Sequence, residues 1–226
     1  MTISALIDKQ DNFEIVRDQI AAILVAESAS QQNLATIAGR VDLTPWQYDV
    51  YTERSNPWAK WLNTSDLPTD VTPIVNVWVD ASQFPRDRGS PVGRSQGHDV
   101  TYNIDVYAYG LSEDNPAGGH LPGDAAAGEQ IGHIVKLLRN ILISGDYTYL
   151  DLRGVVSERW IQSLTFFQPS QDAQGVQNIR GARMTLVVKM VESSPQVTGD
   201  TLESIFTEVR RDGDGKVLFD VDISVT

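Results

Sequence analysis

Cysteine is absent from the 226-residue chain. That absence excludes disulfides, iron–sulfur clusters and thiolate zinc sites, and it fits assembly in a reducing cytoplasm. Histidine is scarce: His98, His120 and His133 are the only 3, and their spacing is not that of metal ligands. Long apolar runs are missing too, since none approaches the roughly 18–20 residues that span a bilayer. The stretch Met1–Lys9 has no basic segment followed by an apolar core, so no signal peptide is expected and the default location is the cytoplasm. Positive charge is also in short supply. Lys and Arg number 18 against 30 Asp and Glu, giving a net charge of −12 and a pI near 4.6. Such a chain repels phosphate backbones and is not expected to grip nucleic acid electrostatically. It could still line a channel through which DNA slides, where weak repulsion prevents sticking.

What remains is ordinary globular material. A hydrophobic fraction of 41% and a mean hydropathy of −0.22 argue against wholesale disorder. The length suits one well-buried domain with appendages, or two small domains. From Asp11 to about Ser28, Phe13, Val16, Ile20, Ile23 and Leu24 recur at helical spacing, with fraying expected up to a stop at Gly39. Residues 40–70 concentrate Trp46, Trp58 and Trp61 with Tyr48 and Tyr51. There Asp49, Glu53 and Asp66 cancel Arg54 and Lys60, so a satellite core is expected rather than a base-stacking surface. Gln47–Thr52 could be a short strand, and Ser55–Pro57 a turn into a short helix.

Strands are expected at Val71–Ala81 and around Val100–Tyr109, joined by a loop over Gln83–His98. In the second, Val100, Tyr102, Ile104, Val106 and Ala108 share one face; Thr101, Asn103, Asp105, Tyr107 and Tyr109 share the other. After a Gly- and Pro-rich loop, a helix is expected with Asp124 as N-cap and Gly145 just past its end. Gly128 and Gly132 inside it suggest close backbone packing against a sheet or a neighbouring subunit. Strands follow at Val155–Phe167 and Ala182–Glu192. A C-terminal hairpin turns at Asp212–Gly215 into the alternating Val217, Phe219, Val221, Ile223 and Val225; Leu202–Val209 fits either period.

Motifs for chemistry are weak. Gly93–Gly97 matches G-x-S-x-G, but a nucleophile elbow needs a strand–turn–helix, and a strand–loop–strand is expected here. Asp212–Gly215 fails as a calcium loop, because Lys216 takes the fifth position and Ile223 the twelfth, where a Glu is needed. Asp80 and Asp105 lie on strands expected to be neighbours, and carboxylates on an open sheet face are usually solvated. No catalytic, cofactor-binding or metal-binding residues are assigned, and no enzyme is expected.

The order of elements predicts an α+β fold, with a four-stranded, mostly antiparallel sheet and helices packed on one face. An aromatic insertion at about 38–70 interrupts a domain over 1–194, and a β-hairpin extension occupies 195–226. This order, with Val75–Asp80, Thr101–Gly110, Ile131–Ile143, Trp160–Leu164 and Arg183–Val188, resembles the tail terminator proteins of tailed, particularly contractile-tailed, bacteriophages. The resemblance covers residues 5–30 and 70–192. It implies a virion protein, assembled in the host cytoplasm, that forms a ring of six copies on the head-proximal end of the tail tube. Its partners would be its own copies, the tail tube protein, the sheath protein and the head–tail connector, with DNA passing through without sequence-specific binding. The Gln83–His98 loop, with Arg86, Arg88 and Arg94, and the C-terminal hairpin, with Asp212, Asp214 and Phe219, are the expected protein-interaction elements. The insertion and the extension depart from the simplest members of that family. Another neck or baseplate adaptor therefore stands as an alternative, as does an enzyme or ligand-binding domain with an unrecognised pocket.

Overall fold

The computed structural model describes residues 9–62, 68, 70–85, 95–114, 119–169, 178–193, 204–210 and 217–224. Helix α1 (Asn12–Ile37) begins where the Asp11 amide donates to Glu14 Oε2 at 3.2 Å. It runs unbroken through the stretch expected to fray. It ends in a left-handed Gly39 (φ 74°), with the Gly39 and Arg40 amides donating to Thr36 O and Ala35 O. Then come β1 (Asp49–Thr52), β2 (Ile74–Gln83), β3 (Ser95–Tyr109) and the two-residue strands β4 (Glu113–Asp114) and β5 (His120–Leu121). Helix α2 (Gly123–Ile143), β6 (Val156–Phe167), β7 (Ile179–Ser193), β8 (Ser204–Arg210) and β9 (Val217–Ser224) complete the order. The chain divides into two compact units, Gln10–Ser193 and a smaller one made of Met1–Lys9 with Ser194–Thr226.

The larger unit is a mixed α/β fold with one sheet of five strands, in the order β1-β2-β3-β7-β6. The expected four-stranded sheet is thus one strand short. Asp49–Thr52, assigned from sequence to an insertion, joins the sheet edge parallel to β2, with Val50 opposite Val75. All other pairings in this sheet are antiparallel. Val16, Ile20 and Leu24 of α1 and Ile131, Ile134 and Leu138 of α2 bury against Tyr102, Ile104, Val106, Met184, Leu186 and Val188. Both helices therefore cover one face, each fully buried Leu or Ile contributing on the order of 2 kcal/mol. Three tyrosine hydroxyls tie α1 down: Tyr48 donates to Leu24 O, Tyr102 to Phe13 O and Tyr147 to Glu27 Oε1.

The opposite face carries a second cluster. Trp58 and Trp61, on the short 3-10 turn Pro57–Trp61, pack with Ile74, Tyr107, Tyr109 and Ile179. The aromatic stretch therefore does supply a satellite core, laid across the open sheet face.

Several local expectations are corrected. Pro122, not Asp124, caps α2; Gly123 lies backbone to backbone against Gly110, and the Asp124 carboxylate turns to Arg180 at 2.9 Å. Gly145 does stand just past the end of α2, after the C-cap Ser144, and it opens a 3-10 turn. Gly128 and Gly132 have open space where a Cβ would stand, so no close approach among the described residues explains them. The expected Gln83–His98 loop is narrower, since β2 runs to Gln83 and β3 starts at Ser95. His98 is a buried strand residue opposite Met190. In the smaller unit, the ambiguous stretch is β8, antiparallel to β9.

Candidate functional site

A polar cluster sits on the open face of the sheet, beside the aromatic satellite core. Asp105 of β3 is only 2% exposed. Its carboxylate accepts from Arg183 Nε at 2.7 Å and Nη2 at 2.9 Å, from Trp78 Nε1 at 2.9 Å, and from the Tyr107 hydroxyl at 3.4 Å. The register explains the meeting: Asp105 lies opposite Arg183 on β7 and Asn76 on β2, so alternation places all three on one face. The open-face position predicts a solvated Asp105. It is buried instead, because Arg183 compensates a charge that would otherwise cost about 3–5 kcal/mol if left alone at that depth. Asp80, its suggested companion, is exposed at an irregularity in β2.

Arg183 stacks with its guanidinium carbon 4.9 Å from the Trp78 ring centre and 5.9 Å from that of Phe167. Hydrogen bonding to Asp105 raises its pKa beyond the ordinary arginine value. Burial first, and the Asp105 charge next, push the Tyr107 hydroxyl well above its usual range. Both groups therefore hold one protonation state at any physiological pH, which suits binding better than proton transfer.

A second wall comes from the chain just after β1. Glu53 adopts left-handed backbone (φ 54°), a conformation costing about 1 kcal/mol or more in a non-glycine residue. Its amide donates to Val77 O, and its Oε1 accepts from the Val79 amide and from Arg17. Next to it, the buried Asn76 side chain clamps Arg54, accepting from its amide at 3.1 Å and donating to its carbonyl at 2.9 Å. Glu53, Arg54, Ser55, Trp78, Asp105, Tyr107 and Arg183 line an open cavity of about 300 Å³. The sequence signal for this site is slight: opposite charges at open-face positions of two strands whose pairing only the fold supplies.

A different surface lies at the β6 edge. Among the described strands this 12-residue strand pairs with β7 alone. By register Leu164 and Phe166 stand on the helix side, opposite Met184 and Ala182, and Trp160 stands on the other, opposite Val187. All three are exposed, Phe166 to 60%, and no charged residue lies between Trp160 and Phe167. Gly128 and Ile131 of α2 join Phe166, Phe167, Arg180 and Gly181 around a groove of about 430 Å³.

Arg86, Arg88, Arg94, Asp212 and Asp214 lie outside the described residues, as do Gly93 and the rest of the Asp212–Gly215 turn. Phe219 sits in β9 opposite Val209. Ser95, Gln96 and Gly97 of the G-x-S-x-G match are in β3, paired to β7, so the serine stands on a strand rather than on a strand-to-helix turn. Among the described residues no three His, Asp or Glu side chains converge as around a metal ion, and no helix is long and apolar enough to cross a membrane. No protein-family model matches the chain, and no curated protein matches it in sequence.

Proposed function

We propose that this chain is a structural assembly protein of a tailed bacteriophage, whose copies form a ring closing the head-proximal end of the tail tube. The observation that carries this reading is the β6 edge. A long edge strand without Lys or Pro, bearing exposed Trp160, Leu164 and Phe166, is a surface that natural proteins keep covered. Two irregularities in β6, at Val156/Glu158 and Ile161/Ser163, bend it, and its charges, Glu158 and Arg159, lie before the apolar stretch. Head-to-tail repetition of one contact closes into a ring when its rotation divides the circle. The ring's far face, unlike a tube subunit, would not accept another tube layer, and that asymmetry ends polymerisation. The acidity of the chain suits a lumen through which DNA passes without sticking. A second reading, a ligand-binding domain, is favoured by the open cavity at Asp105 and Arg183, with its convergent polar groups.

Light scattering coupled to size exclusion, with negative-stain imaging of the same peak, tests the ring. Hexamers with a central hole are expected. If the protein is monomeric alone, purified tail tubes are added as template, and failure to cap them ends the proposal.

A further inference from the structure

The open-face cavity has the construction of a receptor for one carboxylate. The Arg183 guanidinium lies close to two rings, those of Trp78 and Phe167, and its Nε/Nη2 edge is taken by Asp105. The edge left open is Nη1/Nη2, and Nη1 has no acceptor among the described residues. Guanidinium edges match carboxylate oxygens two to two. Nearby, Arg183 pairs with Asp105, and Arg17 pairs with both Glu53 and Asp18. Arg54 rests 4.8 Å over the Tyr51 ring and has no carboxylate within 4 Å among the described residues. A single carboxylate entering the cavity would give Arg54 a partner, whereas a second negative charge would add only repulsion from Asp105 and Glu53. The cavity volume suits a single short side chain or small acid, with Trp78 and Tyr107 as its apolar wall. Its rim is preformed, held by the Asn76 clamp on Arg54 and by left-handed Glu53, so little ordering is needed on binding.

We propose that this cavity binds a single carboxylate group, held by the open edge of Arg183 and by Arg54 and backed by Trp78. The inference does not depend on ring formation. The group could come from a free small acid or from an Asp or Glu side chain of a protein, and the same experiment separates the two.

The full-length protein is labelled with ¹⁵N and the Trp78 indole N–H signal is assigned by its loss in Trp78→Phe. Sodium propionate and the blocked peptide Gly-Gly-Glu-Gly-Gly are titrated separately against sodium chloride at equal ionic strength. A saturable shift of the Trp78 signal with either carboxylate, and not with chloride, is expected. The tighter of the two probes identifies the source. Arg54 is exposed, so Arg54→Gln should leave the free spectrum in place while weakening binding about tenfold, the loss of one charge-assisted contact. Shifts equal to those in chloride, or unchanged affinity in Arg54→Gln, would overturn the assignment. Neither result bears on whether the copies form a ring.

Discussion

His98 shows how much a single residue depends on where the chain carries it. Its position in sequence, at the end of a polar loop, suggests an exposed ring. In the fold it is 1% exposed, with Nδ1 2.7 Å from Ser82 Oγ and its ring stacked on Phe84 at 4.6 Å. Nε2 is buried and has no partner among the described residues. Burial lowers its pKa below the ordinary 6.5, outweighing the raising influence of Glu192, Asp99 and Asp11. The unfolded chain therefore binds this proton more readily than the native one. Stability from neutral His98 is complete above about pH 6.5 and is lost as pH falls below it. His98→Gln should show a smaller drop in Tm between pH 7.5 and 5.5 than the parent protein. Identical slopes would assign the acid sensitivity to the carboxylates instead. Asp105 carries the same lesson: its type and alternation are legible in the sequence, but its burial depends on Arg183, 78 positions away.

At the scale of elements, the glycines divide sharply. A Cβ on Gly110 would run into the backbone of Gly123 and Ala127, because the end of β3 and the start of α2 meet with no side chain between them. Gly110→Ala should cost about 3 kcal/mol or more in urea denaturation, since backbone cannot rotate aside. Gly128 sits in the interior of α2, and nothing lies within 4 Å of the place a β-methyl would take. Gly128→Ala should therefore stabilise by roughly 0.5–1 kcal/mol through helix propensity alone, read in the same denaturation. The sequence marks Gly128 and Gly132 as the suspicious pair, because glycine weakens a helix. The positions that require glycine are Gly110 and Gly123, in what reads as an ordinary loop. Helical spacing locates α1 and α2, yet a capping residue is chosen by its surroundings. With Gly123 pressed against Gly110, the helix starts one residue before Asp124.

For the whole molecule, the decisive feature is which strand is left at the edge. β6 and β7 both read as strands in the sequence, and the order β1-β2-β3-β7-β6 leaves β6 with one side unpaired among the described residues. If β6 carries self-association, Leu164→Lys combined with Phe166→Lys should abolish assembly. Both side chains are already exposed, so the melting temperature should change little, within about 0.5 kcal/mol of stability. Unchanged assembly in this variant, seen by light scattering, would move the contact to another surface.

The alternation and helical spacing of apolar residues are short-range properties, and they suffice to determine that this chain is α+β, where its two helices and longer strands lie, and which residues of β3 share a face. Composition by itself determined that no thiolate chemistry or disulfide supports the fold. Strand order, the parallel docking of β1, the burial of Asp105 against Arg183, the covered surroundings of His98 and the bare edge of β6 are set by contacts between residues far apart in the chain. Those contacts are chosen by competition among alternative pairings for the same apolar faces, and no local pattern records which pairing wins.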